Sequence, residues 1–435
     1  MRLDVPSLLE QKYKLILVVC TGMVLLLGLA VMQLKVIDLA SGQTRSWWEI
    51  IHNVESGEGY KACNEGYVPN CKLTNQYTAT REPIPIYLFA LVGWLTHDSV
   101  IAFQFTQLMI VLGIMFGVFW LGSELSGISA GSLAALIWSF YLPAMRLEVQ
   151  ITGDLLEGLF VVFGFLKFLH VLRRGLYCDW LAFGILFGLA VLSRSAALIL
   201  VGALGFGYLV FLYVQKGSSA SVPGGWYKKA AISAIAFALI LSPWSIRNWL
   251  IFGEPVVGTT LTGYVLYRHN AIITKDVPPH FVGSAEALDL VRELSTRRPE
   301  LLKPLNETQV NDLFMQEAYS LIKAHPLNYI KLSLYRFIPL WFDIGVAEQY
   351  GQQTFIWDDA AILQQAVLLV IFILGLCKRD WRLWLIGFSS VVYLVAYLGV
   401  QGQLRYTVPV SPAIIVIGSI GLLSALRRRT YSRSQ

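Results

Sequence analysis

Four arginines stand at corresponding ends of apolar segments: Arg146, Arg194, Arg247 and Arg405. A guanidinium at such a boundary offers a rigid fork of N–H donors that matches two oxygens of one phosphate. Carboxylates share the same level, namely Asp38, Glu49, Asp154 and Glu157. A phosphate that binds and leaves needs cations, and an attacking hydroxyl or amine needs a carboxylate to take its proton. Both requirements are met on one side. Charges at a membrane boundary are costly unless paired or used. Arginines beside spans also snorkel to head groups, and Asp154 or Glu157 could pair with Arg146 for structural reasons alone.

The densest of these sites is 241–249, Leu-Ser-Pro-Trp-Ser-Ile-Arg-Asn-Trp. Pro243 lacks an N–H and weakens the last turn of an uncharged run over 230–246. Trp244 and Trp249 have the apolar body and polar tip that suit a membrane surface, with Arg247 between them. A lipid phosphate gripped by Arg247 is the expectation. No glycine-rich phosphate loop, Walker motif, dinucleotide fingerprint or nucleophile elbow occurs, so direct use of a nucleotide is not expected. His52, His97, His269 and His280 show no spacing that suggests a metal site and read as surface histidines, which leaves a metal requirement open.

The elements that must position these groups are membrane helices. The chain has 435 residues, 56% hydrophobic and 14% charged, with mean hydropathy +0.59. Soluble domains carry about 25% charge. The net charge of +6 resides largely in short loops between apolar runs, which argues against nucleic acid. Apolar runs cover 15–34, 99–123, 125–145, 149–172, 180–193, 195–215, 230–246, 360–377, 383–404 and 406–426, about ten spans. The first is too long for a signal-peptide core and reads as a retained anchor. Basic groups at 2–14, 173–174, 216–229, 378–382 and 427–433 then all face the cytoplasm, with both termini inside. The long loops 35–98 and 247–359 face outward. This gives three regions: 1–246 in the membrane with its outer loop, 247–359 as an outer cap, and 360–435 as the closing helices and basic tail.

The outer loops carry structure of their own. Residues 46–60 read as a short amphipathic helix whose Trp47, Trp48, Ile50, Ile51 and Val54 could lie on the membrane. Residues 83–97 are apolar but too short to span easily. Asn306 with Gln309 resembles a capping box ahead of a helical run. Residues 327–342, with Lys331 and Arg336 among apolar neighbours, look interfacial. Cys63 and Cys71 lie in an outward, oxidising loop and are expected to pair. Cys20 falls in the first span, and Cys178 and Cys377 fall in inner loops, where they are expected to stay reduced.

Several stretches resemble the GT-C membrane glycosyltransferases, and more narrowly glycosyltransferase family 39. That family holds protein O-mannosyltransferases and lipid A aminoarabinose transferases. The stretches are 48–53 with 57–60, 80–87, 188–194, 243–248 with 252–253, and 405–412. They fall in the family's order and span 15–426. The resemblance implies an all-α polytopic fold of GT-C type, with amphipathic helices in the outer loops. It implies inverting transfer of a sugar from a polyprenyl-phosphate donor to a glycan, lipid or protein acceptor at the outer face of the plasma (inner) membrane. Arg81, Arg194, Arg247 and Arg405 would hold the donor phosphate, and Asp154 matches the family's second-loop acidic position. Where the family places an acid before the first-loop helix, this chain has Gln43 and Thr44. Asp38 or Glu49 is then expected to supply the base. The alternative is a non-catalytic or transport role for lipid-linked sugars, which Gln43 favours and the gathering of polar groups at one face disfavours.

Overall fold

The computed structural model describes residues 5–34, 37, 39, 42–63, 67, 71, 77–215, 226–344 and 358–433. Among them the chain is helical, apart from one antiparallel bridge between Lys61 and Tyr77. In chain order, α1 (Val5–Leu34) is followed by α2 (Gly42–Glu55) and α3 (Pro83–Thr96). Then come α4 (Val100–Ser126), α5 (Ile128–Ser139), α6 (Leu142–Glu148), α7 (Asp154–Arg173), α8 (Tyr177–Ser193), α9 (Ala197–Gln215) and α10 (Trp226–Phe252). A group of shorter helices follows: α11 (Thr262–Asn270), α12 (Ser284–Arg297), α13 (Glu307–Ala324), α14 (Pro326–Tyr335) and α15 (Phe337–Phe342). The chain closes with α16 (Asp358–Leu376), α17 (Trp381–Val400) and α18 (Ser411–Arg433).

Among the described residues, seven helices are long and apolar enough to cross a membrane: α1, α4, α7, α9, α10, α16 and α17. The run expected as one span over 125–145 is instead the pair α5 and α6, bent by 53°. Pro143 in the first turn of α6 explains the break, since proline cannot continue the hydrogen-bond ladder of α5. The remaining two of the ten expected spans correspond to shorter apolar helices, Tyr177–Ser193 and Ser411–Arg427.

The core is built around α18, whose Ile414, Ile415, Val416 and Ile417 are fully buried. A helix apolar on all sides belongs inside a bundle, and α18 packs against α4, α5 and α16. A second apolar cluster joins α11, α12 and α13 through Tyr264, Tyr267, Leu294 and Phe314. There the expected capping box is formed. The Asn306 side chain accepts from the Gln309 N–H, and the Gln309 side chain accepts from the Asn306 N–H. The expected Cys63–Cys71 disulfide is also formed.

Three expectations fail on packing. The apolar face of α2 does not lie on a membrane: Trp47, Ile50 and Ile51 are buried in the main core, where α2 packs against α3. The segment expected to close at 246 instead runs on as α10 to Phe252, past Pro243, so Arg247 is inside the helix. Arg336 is buried rather than interfacial, at 4% exposure. It donates to the carbonyls of Leu398 and His269 and to Asn270 Oδ1, joining the α14–α15 corner to α17 and α11. Burial pushes its pKa down to about 10, still high enough to keep it charged at neutral pH.

Candidate functional site

A cavity of about 790 Å³ opens where α3, α8, α11 and α17 end or begin. Each wall has a local cause. At the end of α8 the chain turns extended at Arg194, with φ −160° and ψ 120°, so the side chain leaves the helix axis. Gly153 makes the approach possible. A Cβ at that position would overlap the Ser193 carbonyl and stand 3.1 Å from Pro85. With nothing there, α7 begins against the end of α8, and Asp154 meets Arg194 with Oδ1 and Nη1 3.0 Å apart. Asp154 is wholly buried and the Arg194 side chain is 16% exposed, facing the cavity. A desolvated pair of this kind holds its geometry because either charge left alone would be very costly.

Arg405 reaches the same cavity from the 3-10 turn Leu404–Thr407. Arg194 and Arg405 both lie over the Tyr406 ring, at 4.8 and 4.6 Å from its centroid. Tyr406 in turn stacks on Tyr397, with centroids 4.5 Å apart and planes within 9°. Both guanidiniums thus rest on one aromatic face, with Asp154 as the partner of Arg194. Arg81 enters from the approach to α3. It donates to Ser46 Oγ at 2.6 Å and to the Thr80 carbonyl at 3.1 Å, with Trp47 and Tyr67 beneath it.

Two wall residues were not singled out by spacing. Arg268 and His269, at the end of α11, both line the cavity and are both nearly buried. Arg268 donates to the Val282 carbonyl at 3.1 Å. His269 is not the surface histidine expected. Burial, with the charges of Arg268, Arg336 and Arg405, drives its pKa well below the usual range, so its ring is neutral. Glu82 is the carboxylate in the wall, and it accepts from the Ser195 N–H at 2.9 Å and the Ser195 hydroxyl at 3.0 Å. It therefore braces the residue that follows Arg194. Four guanidiniums, from Arg81, Arg194, Arg268 and Arg405, face two carboxylates, Glu82 in the wall and Asp154 behind Arg194. The surplus is positive. The wall then continues into apolar side chains, Leu198 and Ile199 of α9 with Ala396 and Val400 of α17.

The remaining expected residues lie elsewhere. Arg247 does not line this cavity. Its Nη1 donates to the Thr78 carbonyl at 2.8 Å and to Asn248 Oδ1 at 2.7 Å, and its Nη2 donates to the Tyr60 carbonyl at 3.1 Å. Tyr60 and Trp244 cover its faces. It holds together the two ends of the 60–78 loop, which leads into Arg81. Arg146 pairs with Asp343 at 2.6 Å and with Asp358 at 3.6 Å, far from the phosphate role its position suggested. Glu49 is half-buried and accepts from the Cys63 N–H at 3.0 Å, in a cleft beside Ser46 and Thr78 rather than in the large cavity. Glu157 sits one turn below Asp154 and accepts from the Tyr393 hydroxyl. Asp38 lies outside the described residues. Glu307, which no sequence motif singled out for this site, accepts from the Ala79 N–H at 2.7 Å and the Thr260 hydroxyl at 2.6 Å, fixing the extended approach to Arg81.

A sequence model of the family described as dolichyl-phosphate-mannose-protein mannosyltransferase matches residues 80–245. That stretch begins at the Thr80–Glu82 wall, contains Asp154 and Arg194, and ends within α10. No curated protein matches the chain by sequence. Among solved structures, the oligosaccharyltransferase AglB of Archaeoglobus fulgidus, in complex with an inhibitory peptide and a dolichol-phosphate, superposes with TM-score 0.56 at 15% identity. That match covers 98% of this chain and 51% of the other. The apo form of the Archaeoglobus fulgidus oligosaccharyltransferase gives TM-score 0.58 at 15% identity, covering 97% of this chain and 51% of that one. This chain thus spans about half the length of the oligosaccharyltransferases it resembles. ArnT from Cupriavidus metallidurans bound to undecaprenyl phosphate aligns at TM-score 0.43 and 11% identity, over 93% of this chain and 77% of that one. Over nearly its whole length the chain shares a helical membrane fold with these oligosaccharyltransferases.

Proposed function

We propose that this protein is a membrane glycosyltransferase that moves a sugar from a polyprenyl-phosphate donor to an acceptor at the outer face of the membrane. The observation that carries the reading is the cavity itself. Its head holds a surplus of guanidinium charge around Arg194 and Arg405, and its flank is apolar. A phosphate on an isoprenoid chain has that same division of charge and oil. The family match over 80–245 and the likeness of the fold to a dolichol-phosphate complex support the assignment.

In this reading Arg194, Arg405, Arg81 and Arg268 hold the donor phosphate, and Arg247 acts through the loop it braces. The acceptor oxygen or nitrogen attacks the anomeric carbon on the face away from the phosphate. The bond from that carbon to the phosphate oxygen breaks as the new bond forms. Its electron pair leaves with the polyprenyl phosphate, where the guanidiniums stabilise the charge. The acceptor's proton passes to a first-loop carboxylate, for which Asp38 is the candidate, since Glu49 lies outside the cavity and holds the Cys63 N–H. Asp154 keeps Arg194 aimed. The termini lie in the cytoplasm of a cell whose inner membrane holds the protein, and residues 247–359 cap the site from outside. The acceptor is a glycan, a lipid or a protein.

The test uses purified protein in proteoliposomes with a labelled polyprenyl-phosphate sugar and a crude envelope acceptor fraction. Label should move to an acceptor, and Arg194→Ala or Arg405→Ala should stop it. Label that crosses the bilayer still attached to its lipid would instead mark a carrier of lipid-linked sugars, and the enzymatic assignment would fall.

A further inference from the structure

A second group of ligand-grade side chains stands away from the cavity, at the far ends of α2 and α3. His52 and Glu55 lie one turn apart on α2, and Asp98 follows α3. One ligand atom from each lies within 4.8 Å of the other two, and His52 Nδ1 is 3.9 Å from Asp98 Oδ2. Donor atoms held at about 2.0–2.2 Å by one zinc ion stand about 3–4 Å apart, so a pair at the outer limit need close by about 1–2 Å.

The two carboxylates point to what lies between them. Glu55 Oε2 and Asp98 Oδ1 are both enclosed, and neither has a hydrogen-bond partner outside the pair. They converge over the bare backbone of Gly93, where a Cβ would stand 2.8 Å from one and 2.9 Å from the other. Asp98 is turned inward by two successive residues in the left-handed region, His97 at φ 51° and Asp98 at φ 59°. Two carboxylate oxygens aimed at one another in an enclosed space repel unless a proton or a cation is shared between them. His52 decides between these. A shared proton has no use for a third ligand, whereas a divalent metal does.

We propose that His52, Glu55 and Asp98 bind a zinc ion that staples the C-terminal end of α2 to the end of α3. One nitrogen and two oxygen donors suit zinc, and the exposed side of His52 leaves its fourth position to water. The ion acts as a clamp and takes no part in sugar transfer. Both helices reach the cavity at their other ends, α2 through Trp47 and α3 through the preceding Arg81. Fixing their far ends fixes the angle at which those two side chains meet, 5.4 Å apart.

The experiment measures metal, so it does not depend on the activity assigned above. Full-length protein in detergent is stripped with a chelator, dialysed against zinc sulfate and analysed by elemental mass spectrometry and calorimetry. The wild type should hold about one zinc per chain. Glu55→Gln and Asp98→Asn, which keep shape and remove charge, should each weaken binding at least tenfold. Zinc should also raise the melting temperature of the wild type and leave that of Asp98→Asn unmoved, which separates loss of the site from loss of the fold. A wild type without stoichiometric zinc means the carboxylates share a proton and overturns the proposal. Zinc retained in full by both variants places the ion elsewhere and overturns it equally.

Discussion

Replacing Arg247 with alanine separates a brace from a ligand. The guanidinium donates to two main-chain carbonyls 18 residues apart in sequence, Tyr60 and Thr78, and is covered by Tyr60 and Trp244. Hydrogen bonds from a charged donor contribute about 1.5–3 kcal/mol each. Arg247 is half-buried, so solvent screening brings that to about 1 kcal/mol per bond. The ring contacts add about 0.5–1 kcal/mol. Arg247→Ala should therefore destabilise the protein by about 2–3 kcal/mol and lower its melting temperature by several degrees. Transfer should fall because the loop leading into Arg81 loosens, with the KM for donor and kcat changing together. Arg405→Ala gives the contrast. It removes a cavity cation whose bond to a phosphate is worth about 1.5–3 kcal/mol, so donor affinity should fall roughly tenfold to 150-fold, far more than the loss of its contact with the Tyr406 ring lowers the melting temperature. The assay is donor titration in proteoliposomes beside thermal unfolding in detergent. An Arg247→Ala protein that melts like the wild type but needs far more donor would make Arg247 the phosphate ligand and sink this account of the site.

Other outcomes follow from the same geometry. Gly153→Ala should drive α7 from the end of α8, since its Cβ overlaps the Ser193 carbonyl; loss of transfer and a lower melting temperature are expected, and a melting curve unchanged from wild type would count against the close approach. His269 is held neutral with its pKa well below 6.5, so the folded state binds fewer protons than the unfolded one. Its contribution to stability is complete above about pH 6.5 and is lost as pH falls below that, by up to about 1.4 kcal/mol per unit. Melting temperature measured from pH 7.5 to 5.5 should fall less steeply for His269→Gln than for wild type. Glu82→Gln keeps an acceptor for the Ser195 N–H and hydroxyl but adds to the surplus positive charge, so donor binding should hold or tighten; a tenfold loss of donor affinity would show that Glu82 does more than brace.

Some of this was written plainly in the chain. Long apolar runs gave the bundle, because a helix that must satisfy its own backbone in lipid has little choice of form. The capping box at Asn306 and the Cys63–Cys71 pair were readable because their partners are three and eight residues away. Arg194 and Arg405 were readable as boundary cations and do share a cavity. Arg247 and Arg146 carried the same signal and do not. What separates them is the identity of the partner: carbonyls at Tyr60 and Thr78 for Arg247, and the Asp343 carboxylate for Arg146. Those partners lie roughly 170–200 residues away, where spacing carries no information. Glu82 was hidden in the same way, with its partner Ser195 lying 113 residues on. The face of α2 was misread for a related reason. An amphipathic stripe says that one side avoids water, and here what covers Trp47, Ile50 and Ile51 is protein rather than lipid.

The shortness of α8 reaches beyond the protein. Its 17 residues rise about 26 Å, against a hydrocarbon layer of about 30 Å. If it spans, the guanidinium at its tip sits several ångströms beneath the usual plane of glycerol and phosphate. The bilayer beside α8 must dimple to meet it, at a fraction of a kcal/mol per ångström of mismatch. A lipid substrate entering there descends into a thinned patch, so thicker, sterol-stiffened or saturated membranes should slow its entry without altering a single side chain.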